Sequence, residues 1–153
     1  MRTTYEYEEN LYLMAKACND KEKVLLQNAY IEIDKDSYKY GLVDRFEGIL
    51  SAKAYYHISQ SICNLEDKIV VDCGCHTGLQ QVFFSKAKKY IGIDLQDNFF
   101  KICDNAEFIK GDVCAILPNL KLDNAIGISV LCGMCFMDVN AAMKKYFKDL
   151  IIL

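Results

Sequence analysis

The residues best suited to chemistry lie in one stretch, Ile69 to Gln80, where an apolar run ends in a turn. Glycine occupies positions 74 and 78 of this turn, and glycine permits positive φ and close approach of the backbone to a ligand. Between the two glycines lies His76, and histidine is the residue type that most often acts as a general acid or base. A glycine turn directly after a strand is also frequent in α/β proteins without a ligand, so the turn needs a second signal.

Acidic residues at the ends of the next two apolar runs supply that signal. Asp94 ends "YIGID" and Asp112 ends "FIKGD". A carboxylate at the end of a second strand can accept two hydrogen bonds from a ribose diol. Each aspartate alone is equally well explained as the N-cap of the following helix. The combination of turn, Asp94 and Asp112 at successive strand ends predicts a nucleotide-type cofactor in one cleft.

The elements that must position these residues follow from the change of pattern at Lys68, where short β-branched runs begin to alternate with amphipathic stretches. This alternation predicts a doubly wound α/β fold, with a parallel sheet of about five strands and helices on both faces. Strands are predicted at "KIVVDCG", "YIGIDL", "EFIKGD", "NAIGISVL" and "DLIIL", and helices at "LQQVFFSKAKK", "NFFKICDN" and "VNAAMKKYFK", with a helix or turn at "CAILPNL".

The first third of the chain has few glycines and no proline, and it is predicted to be mainly helical. Apolar residues recur at helical spacing in Leu11 to Cys18 and in Phe46 to Ile58. Asp44 is a plausible N-cap for the second helix, with Glu47 in the capping-box position. The tract from Tyr30 to Gly41 fits a strand, a loop or a short helix. We expect residues 1–65 to form a helical segment packed on a Rossmann-like core of residues 66–153.

Length and composition fit a single soluble domain, since 52% of the 153 residues are hydrophobic and 25% are charged. The net charge of -3 gives the chain no overall attraction for nucleic acid or anionic lipid. The N-terminal segment is acidic where a signal peptide is basic, and no apolar run approaches the roughly 18 residues that span a bilayer. We therefore expect a cytoplasmic protein that does not contact membranes.

Four segments together resemble a known family. "VVDCGCHTG", "YIGIDL", "FIKGDV" and "DNAIGISVL" are similar, in order and spacing, to the first four motifs of class I S-adenosylmethionine-dependent methyltransferases, over residues 68 to about 133. The first motif of that family is D-x-G-x-G-x-G, which Asp72, Gly74 and Gly78 match and in which His76 replaces the middle glycine. The acid before the first glycine favours this family over NAD-binding proteins, whose G-x-G-x-x-G spacing is not reproduced.

The resemblance implies a methyltransferase with S-adenosyl-L-methionine as its cofactor. The turn would hold the methionine part, Asp94 the ribose hydroxyls and Asp112 the adenine, and residues 129–131 would border the methyl group. The candidate cofactor-binding residues are Asp72, Gly74, Cys75, His76, Gly78, Asp94, Leu95, Asp112, Val113, Ser129 and Leu131.

The histidine in the turn departs from the family pattern. A Cβ at position 76 is tolerated if its φ is negative, and we expect that conformation. The imidazole would then lie beside the methionine carboxylate, as a hydrogen-bond donor, or pack without touching the ligand.

The end of the sequence is the second departure. The chain stops at "DLIIL", where the family continues through two more strands, and no N-P-P-Y-type tetrapeptide follows the fourth strand. The second function considered is therefore a non-catalytic protein that keeps a truncated methyltransferase fold for binding S-adenosylmethionine or a nucleotide, or for interaction. No catalytic residue is assigned, and the methyl acceptor is expected to be a small molecule or protein rather than nucleic acid. The apolar strand Leu150 to Leu153 predicts a homodimer through that edge, or its cover by the N-terminal segment.

The eight cysteines have no framework-like spacing and lie in apolar segments, so we expect reduced thiols in the core. Cys73 and Cys75 with Cys132 and Cys135 would supply four thiolates for zinc, but C-x-C is not the usual knuckle spacing. The C-x-x-C pair at the end of the fourth strand is also not at the usual redox position. No metal site is predicted.

Overall fold

The computed structural model describes residues 4–36, 39, 52–130 and 136–152. These residues form an α/β fold around a five-stranded, all-parallel sheet, as the alternating sequence pattern predicts. The strands follow one another in space in the order β3-β2-β1-β4-β5, which makes β1 the central strand. Their bounds are β1 Ile69–Cys73, β2 Lys89–Asp94, β3 Ala106–Lys110, β4 Ala125–Ser129 and β5 Asp149–Ile152.

The central strands are buried on both faces, which is why they are continuous apolar runs rather than alternating ones. All five residues of β1 are buried. In register, Val70 pairs with Tyr90, and Asp72 pairs with Gly92 on β2 and Ile128 on β4. The described sheet ends at β3 on one side and at β5 on the other, so "DLII" is an edge strand, as expected from the sequence.

Helices cover both faces of the sheet. One face packs against α1 (Thr4–Ala17), α2 (Asp20–Lys35) and α3 (Ala52–Ser61), and the other against α4 (Val113–Ile116) and α5 (Phe136–Tyr146). The fold is therefore doubly wound. Within the described part of the chain, none of the helices combines the length and the apolarity needed to cross a bilayer.

The N-terminal helices agree with the predicted helical character of this region. A capping box begins α2: the Asn19 side chain accepts a hydrogen bond from the Glu22 N–H at 2.8 Å, and the Glu22 carboxylate accepts one from the Asn19 N–H at 2.9 Å. The part of the unassigned tract from Tyr30 to Lys35 is the end of α2, so its alternating pattern does not form a strand. The predicted cap at Asp44 and Glu47 lies outside the described residues.

The two crossovers that connect β1 to β2 and β2 to β3 differ from the prediction. The helix expected at "LQQVFFSKAKK" is a 3₁₀ helix, Leu79–Phe84, with all six residues buried. The helix expected at "NFFKICDN" is irregular backbone. The prediction was wrong because Gln80 and Gln81, which would lie on the polar face of an amphipathic helix, point inward.

The Gln81 side chain holds the irregular backbone between β2 and β3, where a helix was expected. Its amide nitrogen donates to the carbonyls of Gly78 and Phe100, at 2.8 and 2.6 Å. Its amide oxygen accepts from the N–H groups of Ile102 and Cys103, at 2.8 and 2.9 Å. A buried side chain thus satisfies backbone groups that a helix would otherwise satisfy internally.

Candidate ligand site at the carboxyl edge of the sheet

The turn after β1 has an alternating left-handed backbone. Gly74, His76 and Gly78 have φ angles of 78°, 58° and 77°. The turn is tied to β2 because the N–H groups of Gly74 and Cys75 both donate to the Ile93 carbonyl, at 2.8 and 3.1 Å. The expected negative φ at position 76 is wrong. His76 occupies the conformation that glycine favours, which histidine tolerates better than β-branched residues do.

Asp94, at the end of β2, lies directly beside this turn. Its Oδ2 accepts from the His76 N–H at 2.9 Å, and its Oδ1 accepts from the Gln96 N–H at 3.0 Å. The side chain is half-buried, and each carboxylate oxygen can accept more than one hydrogen bond. The carboxylate therefore fixes the turn and retains acceptor capacity for a ligand.

Two further predicted residues flank the Asp94 carboxylate. The half-buried His76 imidazole has no hydrogen-bond partner among the residues that the structure describes. Leu95 is 68% exposed, an unusual position for a large apolar side chain. Asp94, His76 and Leu95 thus bring together an acceptor, an uncommitted donor or acceptor, and an apolar surface.

Asp72 lies behind the turn, where no part of it is exposed to solvent. Three neutral donors surround its carboxylate: the Tyr55 hydroxyl on α3 at 3.0 Å, the Gln80 amide at 2.7 Å and the Tyr90 hydroxyl on β2 at 2.6 Å. Burial raises the pKa of Asp72 to about 6, although the three donors lower it; the charge of Asp94 raises it further. Asp72 therefore supports the turn from the interior.

Gln80 connects this buried carboxylate to the turn. Its amide nitrogen donates both to Asp72 and to the carbonyl of Cys75, each at 2.7 Å. The Cys75 side chain is itself fully buried, and burial raises the pKa of its thiol well above the usual range. Of the predicted turn residues, Asp72 and Cys75 face inward, and His76 is the one whose side chain reaches the surface.

Glycine in and near the turn is also required by packing. A Cβ on Gly78 would lie 2.3 Å from Cε1 of Phe108, and one on Gly92 would lie 2.7 Å from the Cys75 Sγ. Phe108 in turn stacks on Phe99, with ring centroids 4.9 Å apart. Part of the glycine pattern therefore reflects contact with this aromatic pair.

The third strand end carries Asp112 and Val113. Asp112 is exposed, and its Oδ1 accepts from the Cys114 N–H at 2.9 Å, which makes it the N-cap of α4. The Val113 side chain is buried in the core under β1 and β2, so only its backbone is placed to meet a ligand. The Gly111 N–H donates to the Asp94 carbonyl at 2.8 Å and so joins the second and third strand ends.

The fourth strand end is partly described. Ser129 ends β4 and is 4% exposed, whereas Leu131, Cys132 and Cys135 lie outside the described residues. The four-cysteine arrangement considered from the sequence thus includes positions that the structure does not describe. Among the residues that it does describe, no group of three or more histidine, cysteine, aspartate or glutamate side chains is arranged to hold a metal ion.

The buried partners of Asp72 and the role of Gln81 were not predicted. The available signal was the pair Gln80 and Gln81 inside the otherwise apolar "LQQVFF", since a polar pair in a buried segment must find internal hydrogen bonds. Tyr55 and Tyr90 carried no such signal, because tyrosine is common in both helices and strands.

A separate groove of about 370 Å³ lies between α1, α3 and the 3₁₀ helix. Tyr56 and Phe83 pack edge to face in its wall, and Lys16 and Lys86 lie at its rim. This groove lies on the face of the sheet that α1, α2 and α3 cover, and Asp94 does not line it.

No protein-family model matches this chain, and no curated protein sequence matches it significantly. Function is therefore inferred from the residues of the carboxyl edge, and not from a relative.

Proposed function

We propose that the protein binds S-adenosylmethionine at the carboxyl edge of its sheet and transfers the methyl group to an acceptor. The observation that carries the proposal is the Asp94 carboxylate, half-buried at the end of β2 and hydrogen-bonded to the N–H of His76 in the turn after β1. An acid at this strand end, facing a turn of alternating left-handed residues, suits a ligand with a ribose diol and a polar tail.

The donor and acceptor set fits the parts of this cofactor. Asp94 would accept from the ribose hydroxyls with its remaining lone pairs. His76 would donate to the carboxylate of the methionine part, because its imidazole has no other partner among the described residues. Leu95 would contact an apolar surface of the adenosine, and the exposed Asp112 would accept from its amino group.

When bound, the cofactor supplies a methyl group that is already activated on a sulfonium. The contribution of the chain would be to orient the cofactor and the acceptor and to exclude water. Ser129, buried at the end of β4, lies on the next strand from the turn and would border the reacting centre. The chain has a net charge of -3, which favours a small-molecule or protein acceptor over nucleic acid.

Calorimetric titration with S-adenosylmethionine tests the proposal. Asp94→Ala removes a charged acceptor, so affinity should fall by about tenfold to a hundredfold. Asp97→Ala, which removes an exposed carboxylate from the same loop, is the matched control and should bind as the wild type does. Equal affinity of Asp94→Ala and Asp97→Ala would contradict the assignment of the site.

Binding without methyl transfer is the second candidate, and the position of Asp72 favours it. This carboxylate has a pKa of about 6, suited to a general base, but it is sealed behind the turn and cannot reach an acceptor. Formation of S-adenosylhomocysteine over a panel of small-molecule and peptide acceptors separates the two candidates. Turnover supports the transferase, whereas cofactor binding with no turnover across the panel supports the binding role.

A further inference from the structure

We infer that the buried Asp72 carboxylate makes this site selective by charge, so that it binds a cationic sulfonium ligand more tightly than the neutral thioether of the same shape. The inference rests on the proposed function. Methyl transfer breaks the bond from sulfur to the methyl carbon and forms one from the acceptor to that carbon. The electron pair of the broken bond stays on sulfur, so the sulfur of the product is uncharged, and a proton displaced from the acceptor passes to solvent. A site with this selectivity would hold the substrate form and release the product form.

The first support is that the Asp72 carboxylate has no cationic partner among the residues that the structure describes. The three groups that donate to Asp72 are the neutral side chains of Tyr55, Gln80 and Tyr90. None of the ion pairs formed within the described residues includes Asp72. A buried negative charge that lacks a counter-ion favours any positive charge brought to its vicinity.

The second support is the electrostatic interaction between Asp72 and Asp94, which lies at the candidate ligand site. The charge of Asp94 raises the pKa of Asp72, so a charge placed beside Asp94, at the candidate ribose position, changes the free energy of ionising the buried carboxyl. Interaction free energies are reciprocal, so a cation bound beside Asp94 would lower the pKa of Asp72. Gln80, which bridges Asp72 and the Cys75 carbonyl, links the same carboxylate to the turn.

The groups that face Asp72 come from each element packed around it. They are Tyr55 from α3, Gln80 from the 3₁₀ helix, Tyr90 from β2, and Cys75 from the turn, and Ile128 pairs with Asp72 from β4. Burial raises the pKa of both tyrosines and of the Cys75 thiol, so these three groups stay neutral below pH 8. Asp72 is therefore the group of this cluster that titrates between about pH 5 and 7.

The direction of the pH dependence follows from the ionisation of Asp72. At about pH 5 the Asp72 carboxyl is mostly protonated and offers no charge, whereas at about pH 7 it is ionised. Two unit charges roughly 8 to 10 Å apart near a protein surface change a binding constant on the order of tenfold. The ratio of affinities for S-adenosylmethionine and S-adenosylhomocysteine should rise by about that factor between about pH 5 and 7.

Calorimetry with both compounds at several pH values measures this ratio. The ligand carboxylate is common to both compounds, and the contribution of Asp72 is read from the difference between the wild-type and Asp72→Asn profiles. The wild type should show the rise, and Asp72→Asn should show a flat ratio. Asp67→Asn removes an exposed carboxylate at the amino end of β1 and should retain the wild-type profile. Tyr55→Phe keeps the ring but removes one donor, so the midpoint of the rise should move to higher pH.

A second measurement covers a variant that fails to fold. In wild-type protein near pH 6, titrations in two buffers of different ionisation enthalpy should reveal more protons released by S-adenosylmethionine than by S-adenosylhomocysteine. Tight binding of both ligands with a flat wild-type ratio, or with equal proton release, overturns this inference alone. Failure of both ligands to bind overturns the proposed function, and this inference with it.

Discussion

Replacement of Gln81 by methionine probes how the sheet is held together without the two expected crossover helices. Methionine is similar to glutamine in length but is apolar, so the substitution removes the polar amide atoms and largely keeps the side-chain volume. The glutamine is fully buried and makes four side-chain hydrogen bonds, to Gly78, Phe100, Ile102 and Cys103.

The magnitude follows from those four bonds. Each buried hydrogen bond contributes about 1 kcal/mol net, so the loss of all four should lower the free energy of unfolding by about 4 kcal/mol. That is a large part of the roughly 5 to 15 kcal/mol typical of a folded domain. The two backbone N–H groups of Ile102 and Cys103 would be left without an acceptor, which makes this crossover the region that opens first.

Equilibrium urea unfolding gives the change in stability, and amide hydrogen exchange gives its location. Gln27→Met, on the exposed side of α2, is the matched control and should change stability by less than about 0.5 kcal/mol. The reasoning is refuted if Gln81→Met costs less than about 1 kcal/mol, or if the amides of Ile102 and Cys103 keep their protection.

Three further changes test other parts of the structure. Gly92→Ala places a Cβ 2.7 Å from the Cys75 Sγ and 2.8 Å from Phe108, and overpacking of this kind should cost about 1 to 3 kcal/mol in urea unfolding. The folded-state pKa of Asp72, about 6, lies above its ordinary value of 3.8, so the carboxyl stabilises the fold fully below about pH 4. That stabilisation, about 3 kcal/mol, should be lost as the pH rises through 6, and Asp72→Asn should lack this slope. At His76, with φ of 58°, substitution by glycine should be tolerated while valine should cost about 1 to 2 kcal/mol, and equal stabilities would contradict the left-handed assignment.

The central strands were predictable because burial on both faces requires continuous apolar runs. A run such as "IVV" before Asp72 has few alternatives to a central parallel strand, and the periodic apolar residues of α1 and α5 indicate amphipathic helices, which cover opposite faces of the sheet. The complete strand order was not predicted. Pairing of β1 with both β2 and β4 depends on contacts between segments far apart in the chain.

The crossovers were mispredicted because periodicity reports polarity and not the direction in which a polar residue points. The sequence is the same whether the side chains of Gln80 and Gln81 face water or the interior. Internal hydrogen-bond partners, such as the Asp72 carboxylate for Gln80 and the Phe100 carbonyl for Gln81, make the inward direction favourable. The φ of His76 was mispredicted for a related reason. The hydrogen bond from the His76 N–H to the Asp94 carboxylate holds the turn, and it joins residues at the ends of two different strands, which local sequence does not reveal.

Part of the arrangement of residues at the strand ends could be predicted from local sequence. Asp94 and His76 lie close together because Asp94 ends β2 and His76 follows β1, its parallel neighbour. The inward position of Asp72, by contrast, depends on Tyr55, which comes from a helix outside the motif.

Amide chemical-shift mapping during titration with S-adenosylmethionine tests the central claim most directly, because it reports where the ligand binds. We predict the largest shifts at His76 and Gln96, whose N–H groups bind the Asp94 carboxylate, and at Gly111 beside them. Amides of Ser59 and Lys86, in the groove between the helices, should stay unchanged. The largest shifts in that groove, or no shifts at millimolar ligand, would contradict a cofactor site at the carboxyl edge.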